Sequence, residues 1–307
     1  MLNIKNIMLA HDFSPGSQQA LSYALGLADR TEAALHLVYA EVLHAPPYDS
    51  KKEPESDREK INKYLQKHAS KLPEHRVERE VVRDISAAPA ILNYSEEHDI
   101  DVIVMGTSGR RGLQRMVIGS VAEEVVRHAK CPVLTVRRQK KPSETSRFAS
   151  ILAPVDFSTH CRDALQYAKE LAASYKARLT LIHIVEETLH PAFYGPGVGS
   201  VYDVQPDIEE QAVKRLKECY SETGGPDVEV EFRAQPGRAQ RAISHYAKES
   251  GHDLIVMATH GRTGFERFTL GSVTERVVRR APCPVFTVKS FGKSLLSKQA
   301  ATGQVKE

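Results

Sequence analysis

A glycine-rich segment of the chain contains residue types that can hold an anion. It runs from Gly106 through Gly109 to Gly119 and Ser120, with the spacing Gly-x2-Gly-x9-Gly-Ser. Glycine permits positive φ and a close approach of the backbone to an anion. Gly119 and Ser120 open a predicted helix, whose first N–H groups and positive dipole end favour phosphate. The Ser120 hydroxyl can add a hydrogen bond and Arg110 can offset phosphate charge, although the pattern alone also fits a tight connection.

This segment differs from two other phosphate-binding motifs. It lacks the Gly-Lys-Ser/Thr of a P-loop, and it follows the fourth predicted strand, whereas a dinucleotide fingerprint follows the first. The sequence offers no positioned base, P-loop lysine or acidic metal cluster beside it, so any hydrolysis there is expected to be slow. We therefore predict no catalytic residue, and whether the protein is an enzyme stays open.

The elements that position the segment alternate between strands and helices. Apolar runs predict strands over Ile4–Ala10, Leu35–Ala40, Val77–Val82, Asp101–Met105 and Val133–Val136. Helical spacing predicts helices from Ser14 to about Arg30, near Ile61–Leu72, over Ser86–His98 and over Gly119–Ala129. Such alternation predicts an α/β fold with a mostly parallel sheet covered by helices on both faces. Ligands of these sheets bind beyond the carboxyl ends of the strands.

The chain contains this arrangement twice. Residues 119–138 and 271–290 are identical at 13 of 20 positions, at an offset of 152, and the two openings around Ser14 and Ser158 are related by an offset of 144. Two copies at this period predict two domains rather than a solenoid. The predicted organisation is a first domain over 1–138, a linker over 139–147, a second domain over 148–290 and a loose tail over 291–307.

Composition excludes several other classes of protein. The 307 residues carry a net charge of +3, with 42 Lys and Arg spread among 39 Asp and Glu, so we expect no nucleic-acid partner. No apolar run is long enough for a membrane span and the N-terminus lacks the features of a signal peptide, so we expect a cytoplasmic protein without a membrane partner. The four cysteines form no CxxC pair, which removes zinc-ribbon and thioredoxin-type readings.

The motifs resemble those of the universal stress protein family. Gly106, Gly109, Gly119 and Ser120 match the family pattern Gly-x2-Gly-x9-Gly-Ser/Thr, and the likeness covers nearly the whole chain, once per half. The resemblance implies two Rossmann-like (adenine nucleotide alpha hydrolase-like) domains, each with a five-stranded sheet. It implies binding of ATP or another adenine nucleotide, with Mg or Mn as an accompanying ion, in a regulatory or stress-resistance role. A slow ATPase or phosphotransferase and a protein-interaction scaffold without nucleotide remain the alternatives.

The resemblance also assigns the nucleotide-binding residues. Asp12 ends the first strand beside the adenine, and Ala40 ends the second strand in the adenine pocket. The nucleotide-binding residues predicted in the first half are Ala10, Asp12, Ala40, Met105, Gly106, Gly109, Arg110, Gly119, Ser120 and Val121. Those predicted in the second half are Asp156, Ile184, Gly261, Arg262, Gly271, Ser272 and Val273.

The second half departs from the motif at one position. Ala258 stands where the pattern has its first glycine. A methyl group there crowds a phosphate or ribose if the backbone needs positive φ, and costs little if it does not. We therefore predict that the first half binds nucleotide more tightly than the second.

The family resemblance further implies pairing through the last strand of each half. These strands are Val133–Val136 and Val285–Val288. An exposed edge strand invites such pairing. Within one chain the two halves are therefore expected to form an intramolecular pseudo-dimer, and two chains can associate further as a homodimer.

Overall fold

The structure is a computed structural model that describes most of the chain. The described residues are 2–43, 59, 63, 72–107, 119–139, 147–186, 200–261, 270–289 and 291–296. The helix expected near Ile61–Leu72 lies almost wholly outside them. Within these residues, no helix is long and apolar enough to cross a lipid bilayer.

Within the described residues, each half has five strands separated by helices. The elements of the first half are β1 Asn6–Ala10, α1 Pro15–Thr31, β2 Ala34–Val42, β3 Val77–Asp84, α2 Ala87–Glu97, β4 Val102–Gly106, α3 Ser120–His128 and β5 Val133–Val136. The elements of the second half are β6 Ser150–Pro154, α4 Thr159–Tyr175, β7 Arg178–Val185, α5 Val201–Val204, α6 Ile208–Glu222, β8 Val230–Pro236, α7 Ala239–Glu249, β9 Leu254–Ala258, α8 Ser272–Arg280 and β10 Val285–Val288. A short 3₁₀ turn, Glu74–Arg76, leads into β3.

The described strands form one sheet in the order β3-β2-β1-β4-β5-β10-β9-β6-β7-β8. Pairing is parallel within each half. One buried cluster lies between the sheet and helices α1, α4 and α6, and a second lies on the other face under α2, α3, α7 and α8. The predicted fold, two α/β repeats with a mostly parallel five-stranded sheet and helices on both faces, is confirmed.

The two halves meet through their last strands, which pair antiparallel. The Thr135 hydroxyl donates to the Val285 carbonyl oxygen over 3.2 Å, and the Thr287 hydroxyl donates to the Val133 carbonyl oxygen over 3.1 Å. These bonds are reciprocal, because Thr287 and Val285 are the counterparts of Thr135 and Val133. Since β5 and β10 cover each other's free edge, a second chain would have to associate through another surface.

The segment after the second half differs from the loose tail that the sequence predicts. Leu295 is buried, its N–H donates to the Tyr167 hydroxyl over 2.7 Å, and its carbonyl oxygen accepts from the Asn3 N–H over 2.9 Å. The Lys293 ammonium lies 2.5 Å from the Asp101 carboxylate and 2.7 Å from that of Asp99. Residues 291–296 therefore pack against both halves.

Candidate functional site

The carboxyl ends of β1, β2 and β4, with the N-terminus of α3, form the first-half crevice. Parallel pairing sets Ala10 of β1 beside Met105 of β4, and Ala40 lies near the end of neighbouring β2. Ala10 and Met105 are buried and Ala40 is half-buried. The structure thus brings to one edge the strand-end residues that the family resemblance selects.

Asp12 lies in the turn between β1 and α1. Its Oδ1 accepts the Ser14 N–H over 3.0 Å, while the Ser14 hydroxyl caps α1 by accepting the Ser17 N–H over 3.2 Å. Burial raises the pKa of the Asp12 carboxyl, but hydrogen bonds from Ser14 and Ser17 outweigh it and leave the pKa below its ordinary value. The carboxylate is therefore charged at neutral pH and held in a fixed orientation.

Asp156 has the same role in the second half. Its Oδ1 accepts the Ser158 N–H over 3.0 Å and the Ser158 hydroxyl over 2.6 Å. A Cβ placed on Gly261 would lie 2.6 Å from the other carboxylate oxygen, Oδ2. The structure therefore brings together two predicted site residues, Asp156 and Gly261, that are 105 positions apart in the chain.

The residue after each aspartate has an unusual backbone conformation that the sequence did not reveal. Phe13 has φ 62° and Phe157 has φ 60°, in the left-handed region that costs a bulky residue about 1–2 kcal/mol. The Phe13 ring packs against Tyr39 at 5.3 Å between centroids, and Phe157 packs against His183 at 4.5 Å. Because the same strain recurs in both halves, it belongs to the architecture of the turn that presents the carboxylate.

Helix α3 contributes backbone N–H groups to the first-half crevice. Its N-cap residue, Gly119, has no side chain that could accept from the first turn. Ser120 is exposed and Val121 is half-buried, and as the first two residues of the helix their N–H groups have no partner within it. The Gly119 N–H itself donates to the Thr107 carbonyl oxygen over 2.8 Å. The N–H groups that can bind an anion at this terminus are therefore those of Ser120 and Val121, because the Gly119 N–H already has an acceptor.

The second-half helix α8 starts in the same way. Gly271 is its N-cap without a side-chain cap, and its N–H donates to the Thr259 carbonyl oxygen over 2.9 Å. Ser272 is exposed and Val273 is half-buried. The hydroxyl of Thr274, absent from its counterpart Ala122, donates to the Ala258 carbonyl oxygen over 2.8 Å and ties α8 to the end of β9.

The reason for the first glycine differs from the one expected. Gly106 does not have positive φ. A Cβ on it would instead lie 2.8 Å from the carbonyl carbon of Gly16 and 2.9 Å from the Ser17 nitrogen, both in the backbone of α1. Gly106 therefore allows close packing of α1 on β4, and of the two possibilities that the sequence left open for its φ, the structure has the one without positive φ.

Two histidines that are absent from the predicted site residues lie at the second-half crevice. His260 directly precedes Gly261, is buried, and has its Nδ1 3.0 Å from the Thr259 hydroxyl. Its ring centroid lies 6.3 Å from that of His160, near the start of α4. His160 is the counterpart of Gly16, so the second crevice contains a ring where the first contains only backbone.

Three predicted site residues lie outside the described residues: Gly109, Arg110 and Arg262. Their assignment stays a prediction. The Ile184 side chain, counterpart of Ala40, is buried in the core on the α7 and α8 face of the sheet.

Fold and site together define a duplicated α/β protein with a crevice at the carboxyl ends of the strands in each half. The family model described as "Universal stress protein family" matches residues 3–137 and 147–289. The chain therefore belongs to the universal stress protein family, in a tandem form.

Curated relatives and solved structures agree with this membership. A universal stress protein of Methanocaldococcus jannaschii is 32% identical over 145 residues, covering 46% of this chain and 82% of the relative. One of Mycolicibacterium smegmatis is 27% identical over 213 residues, covering 68% of this chain and 67% of the relative. The crystal structure of a universal stress protein from Archaeoglobus fulgidus aligns with 94% of this chain and 96% of its own, with a TM-score of 0.65 and 24% identity.

Proposed function

We propose that this protein binds an adenine nucleotide in the first-half crevice and acts as a regulatory or stress-resistance protein. The observation that carries the proposal is the terminus of α3, where a glycine N-cap leaves the first N–H groups without a side-chain acceptor at the edge of the sheet occupied by Asp12. Such a terminus attracts phosphate through its N–H groups and its dipole. Ser120 and Val121 would hold the phosphates, and the Asp12 carboxylate would contact the nucleoside.

A physical argument supports a difference in nucleotide affinity between the two halves. Both helix termini lack a side-chain cap, but the crevice of the second half also contains the buried His260 ring beside Gly261. A ring in this place would reduce the room for a ligand. We therefore propose that the first half is the tighter site.

We also propose that the two halves function as an intramolecular pseudo-dimer. The antiparallel β5–β10 pairing and the reciprocal threonine bonds support this unit. Its consequence is that the strands of both crevices belong to one continuous sheet.

The experiment uses a matched pair of substitutions, Ser120→Asp and Ser272→Asp. Each serine is the exposed first residue of its helix. The helix dipole stabilises a carboxylate at this position, so the fold is retained, while the carboxylate repels a phosphate. At about 4 Å this repulsion is worth about 1–4 kcal/mol. Displacement of a fluorescent adenine nucleotide is expected to show an affinity loss of about 10- to 100-fold for Ser120→Asp, and less than about 3-fold for Ser272→Asp.

Two results contradict the proposal. A purified wild-type chain without affinity for ATP, ADP or AMP removes nucleotide binding altogether. A larger loss with Ser272→Asp than with Ser120→Asp reverses the assignment of the tighter half.

A further inference from the structure

Two histidines and a glutamate meet at the end of the first-half sheet opposite the crevice. His36 is the third residue of β2 and is the parallel partner of Glu78, the second residue of edge strand β3. His98 directly follows helix α2, which covers the same face of the sheet. The crevice lies at the carboxyl ends of these strands, so this cluster is a separate place in the fold.

We propose that His36, Glu78 and His98 bind a divalent transition-metal ion of the zinc class. One possible ligand atom from each residue lies within 4.8 Å of the other two. One pair of these atoms, His36 Nδ1 and Glu78 Oε2, is 3.2 Å apart. Two ligands held tetrahedrally at about 2.0–2.1 Å from zinc are separated by about 3.3 Å, so this pair already has the spacing of a zinc site.

The surroundings of His36 suit a cation. Its Nδ1 lies 3.2 Å from the Glu78 carboxylate, which supplies negative charge, and 3.0 Å from the Tyr94 hydroxyl. An imidazole binds a metal ion through a ring nitrogen that carries no proton.

The surroundings resemble those of a built ligand set. His36 is buried and held by Tyr94, whose ring stacks on that of His98 at 3.9 Å between centroids. Tyr94 thus contacts both histidines, and its hydroxyl shares the His36 nitrogen that faces Glu78, so an ion bound at that nitrogen would replace this hydrogen bond. Glu78 and His98 are exposed, which gives an ion a path from solvent and leaves room for water as a fourth ligand.

The second half provides a natural contrast. Thr180 replaces His36 and Ser250 replaces His98, while Glu231 keeps the place of Glu78. The Thr180 hydroxyl instead lies 3.1 Å from Nε2 of His252, a buried histidine that packs against Tyr246. The second half therefore uses one histidine in a hydrogen bond, and the three-ligand cluster is particular to the first.

The ligand chemistry identifies the class of ion. Two imidazoles and one carboxylate suit zinc and its neighbours cobalt, nickel and copper, whereas magnesium and calcium prefer sites made of oxygen ligands alone. The cluster is thus distinct in chemistry, as well as in place, from any Mg or Mn that accompanies a phosphate.

The experiment measures zinc uptake by the full chain in competition with a chromophoric zinc chelator. We expect one equivalent bound with micromolar or tighter affinity. His98→Ala and Glu78→Gln change exposed side chains, so the fold is retained, and each is expected to weaken binding more than about 100-fold, beyond the range for loss of an outer-shell partner. Tyr94→Phe keeps the stacked ring and removes the hydroxyl that competes for His36 Nδ1, so it is expected not to weaken zinc binding.

His245→Ala is the matched control. This exposed histidine has its Nδ1 3.1 Å from Glu249 Oε2 and belongs to no cluster of three possible metal ligands among the described residues, so its loss is expected to leave zinc uptake unchanged. A wild-type chain that takes up no zinc overturns the proposal. Full affinity in both His98→Ala and Glu78→Gln, with circular dichroism showing an intact fold, also overturns it.

Discussion

The two crevices have the same backbone plan but are built with residues of different size. In the first half Gly16 and Gly106 let α1 and β4 approach until a single Cβ would overlap backbone. In the second half the counterparts are His160 and Ala258, so α4 and β9 accommodate side chains at the same contact. The comparison indicates that Gly106 is needed for the packing of a helix on a strand. Its replacement by Ala258 in the second half therefore accompanies a different contact between α4 and β9.

The largest effect expected from this difference is that of Gly106→Ala. The new methyl group would meet backbone atoms of α1 at 2.8–2.9 Å, which cannot rotate away, so we expect a loss of about 3 kcal/mol in the free energy of unfolding. The reverse change, Ala258→Gly, creates no overlap and is expected to cost only about 1 kcal/mol through backbone entropy. Urea unfolding of both variants measures the two losses.

Equal losses in the two variants would show that the contact between α1 and β4 has no special tightness. Gly106→Ala leaves Ser120 in place, so a weaker nucleotide affinity in this variant would indicate that the position of α1 affects the ligand. The effect would act through Asp12, which lies in the turn before α1.

The junction between the halves offers a second comparison. The Arg137 guanidinium donates to the Arg280 carbonyl oxygen at the end of α8, and its counterpart Lys289 donates from Nζ to the Arg127 carbonyl oxygen near the end of α3. Lys289 is buried, and burial lowers its pKa from 10.5 to about 8. Arginine does not titrate in this range, so only one of the two symmetric contacts depends on pH.

We expect that dependence to stabilise the protein as pH rises. The unfolded chain binds the Lys289 proton more tightly than the folded one, so the penalty for its charge is full below about pH 8 and disappears above pH 10.5. Between pH 8 and 9.5 the unfolding free energy should rise by about 1.5 kcal/mol relative to Lys289→Met. Arg137→Met is the control, and should change with pH in parallel with wild type. A wild-type curve parallel to that of Lys289→Met would mean that Lys289 keeps its ordinary pKa when folded.

Most of the fold followed from local sequence patterns. The repeat at an offset of 152 and the alternation of apolar runs with helical spacing gave the element order, and the bounds of β5 were predicted to the residue, Val133–Val136. The start of α1 was predictable for a similar reason, because Ser14 and Pro15 are local signals that fix it. Residues 291–296 were missed because the burial of Leu295 depends on partners far away in the chain.

The elements around the candidate site were predictable from the sequence, but the structural roles of its residues were not. Spacing located the α3 terminus, yet the packing role of Gly106 depends on α1, and the positive φ of Phe13 has no sequence signal because the residue type argues against it. The His36 cluster joins three separate elements, so no spacing within the chain could reveal it. Contacts between residues far apart in the chain cannot be predicted from local sequence patterns.

The smallest effect concerns the turn into the first helix of each half, where Ser17 and Cys161 are counterparts. Each side chain bonds the carbonyl oxygen three residues earlier, Ser17 Oγ to Ser14 over 3.0 Å and Cys161 Sγ to Ser158 over 2.9 Å. Cys161 also contacts Cys219 of α6, so its one S–H proton is shared between the Ser158 carbonyl oxygen and Cys219, and the hydrogen bond to Cys219 lowers the pKa of the Cys219 thiol. The second half thus has a sulfur pair that the sequence spacing did not suggest.

Replacing Cys161 tests that pair directly. In Cys161→Ala the hydrogen bond to Cys219 is lost, so we expect the Cys219 pKa to rise by about one unit, which corresponds to about 1.4 kcal/mol. Ultraviolet absorbance of the thiolate against pH measures the shift, and burial raises the pKa of Cys131 and Cys283 to about 12, so neither interferes near neutrality. Cys161→Ser, which copies the first half, keeps a donor and should retain the low value. An unchanged titration in Cys161→Ala would assign the lowered pKa to the nearby Arg162 charge, and the two helix starts would then differ in atom type alone.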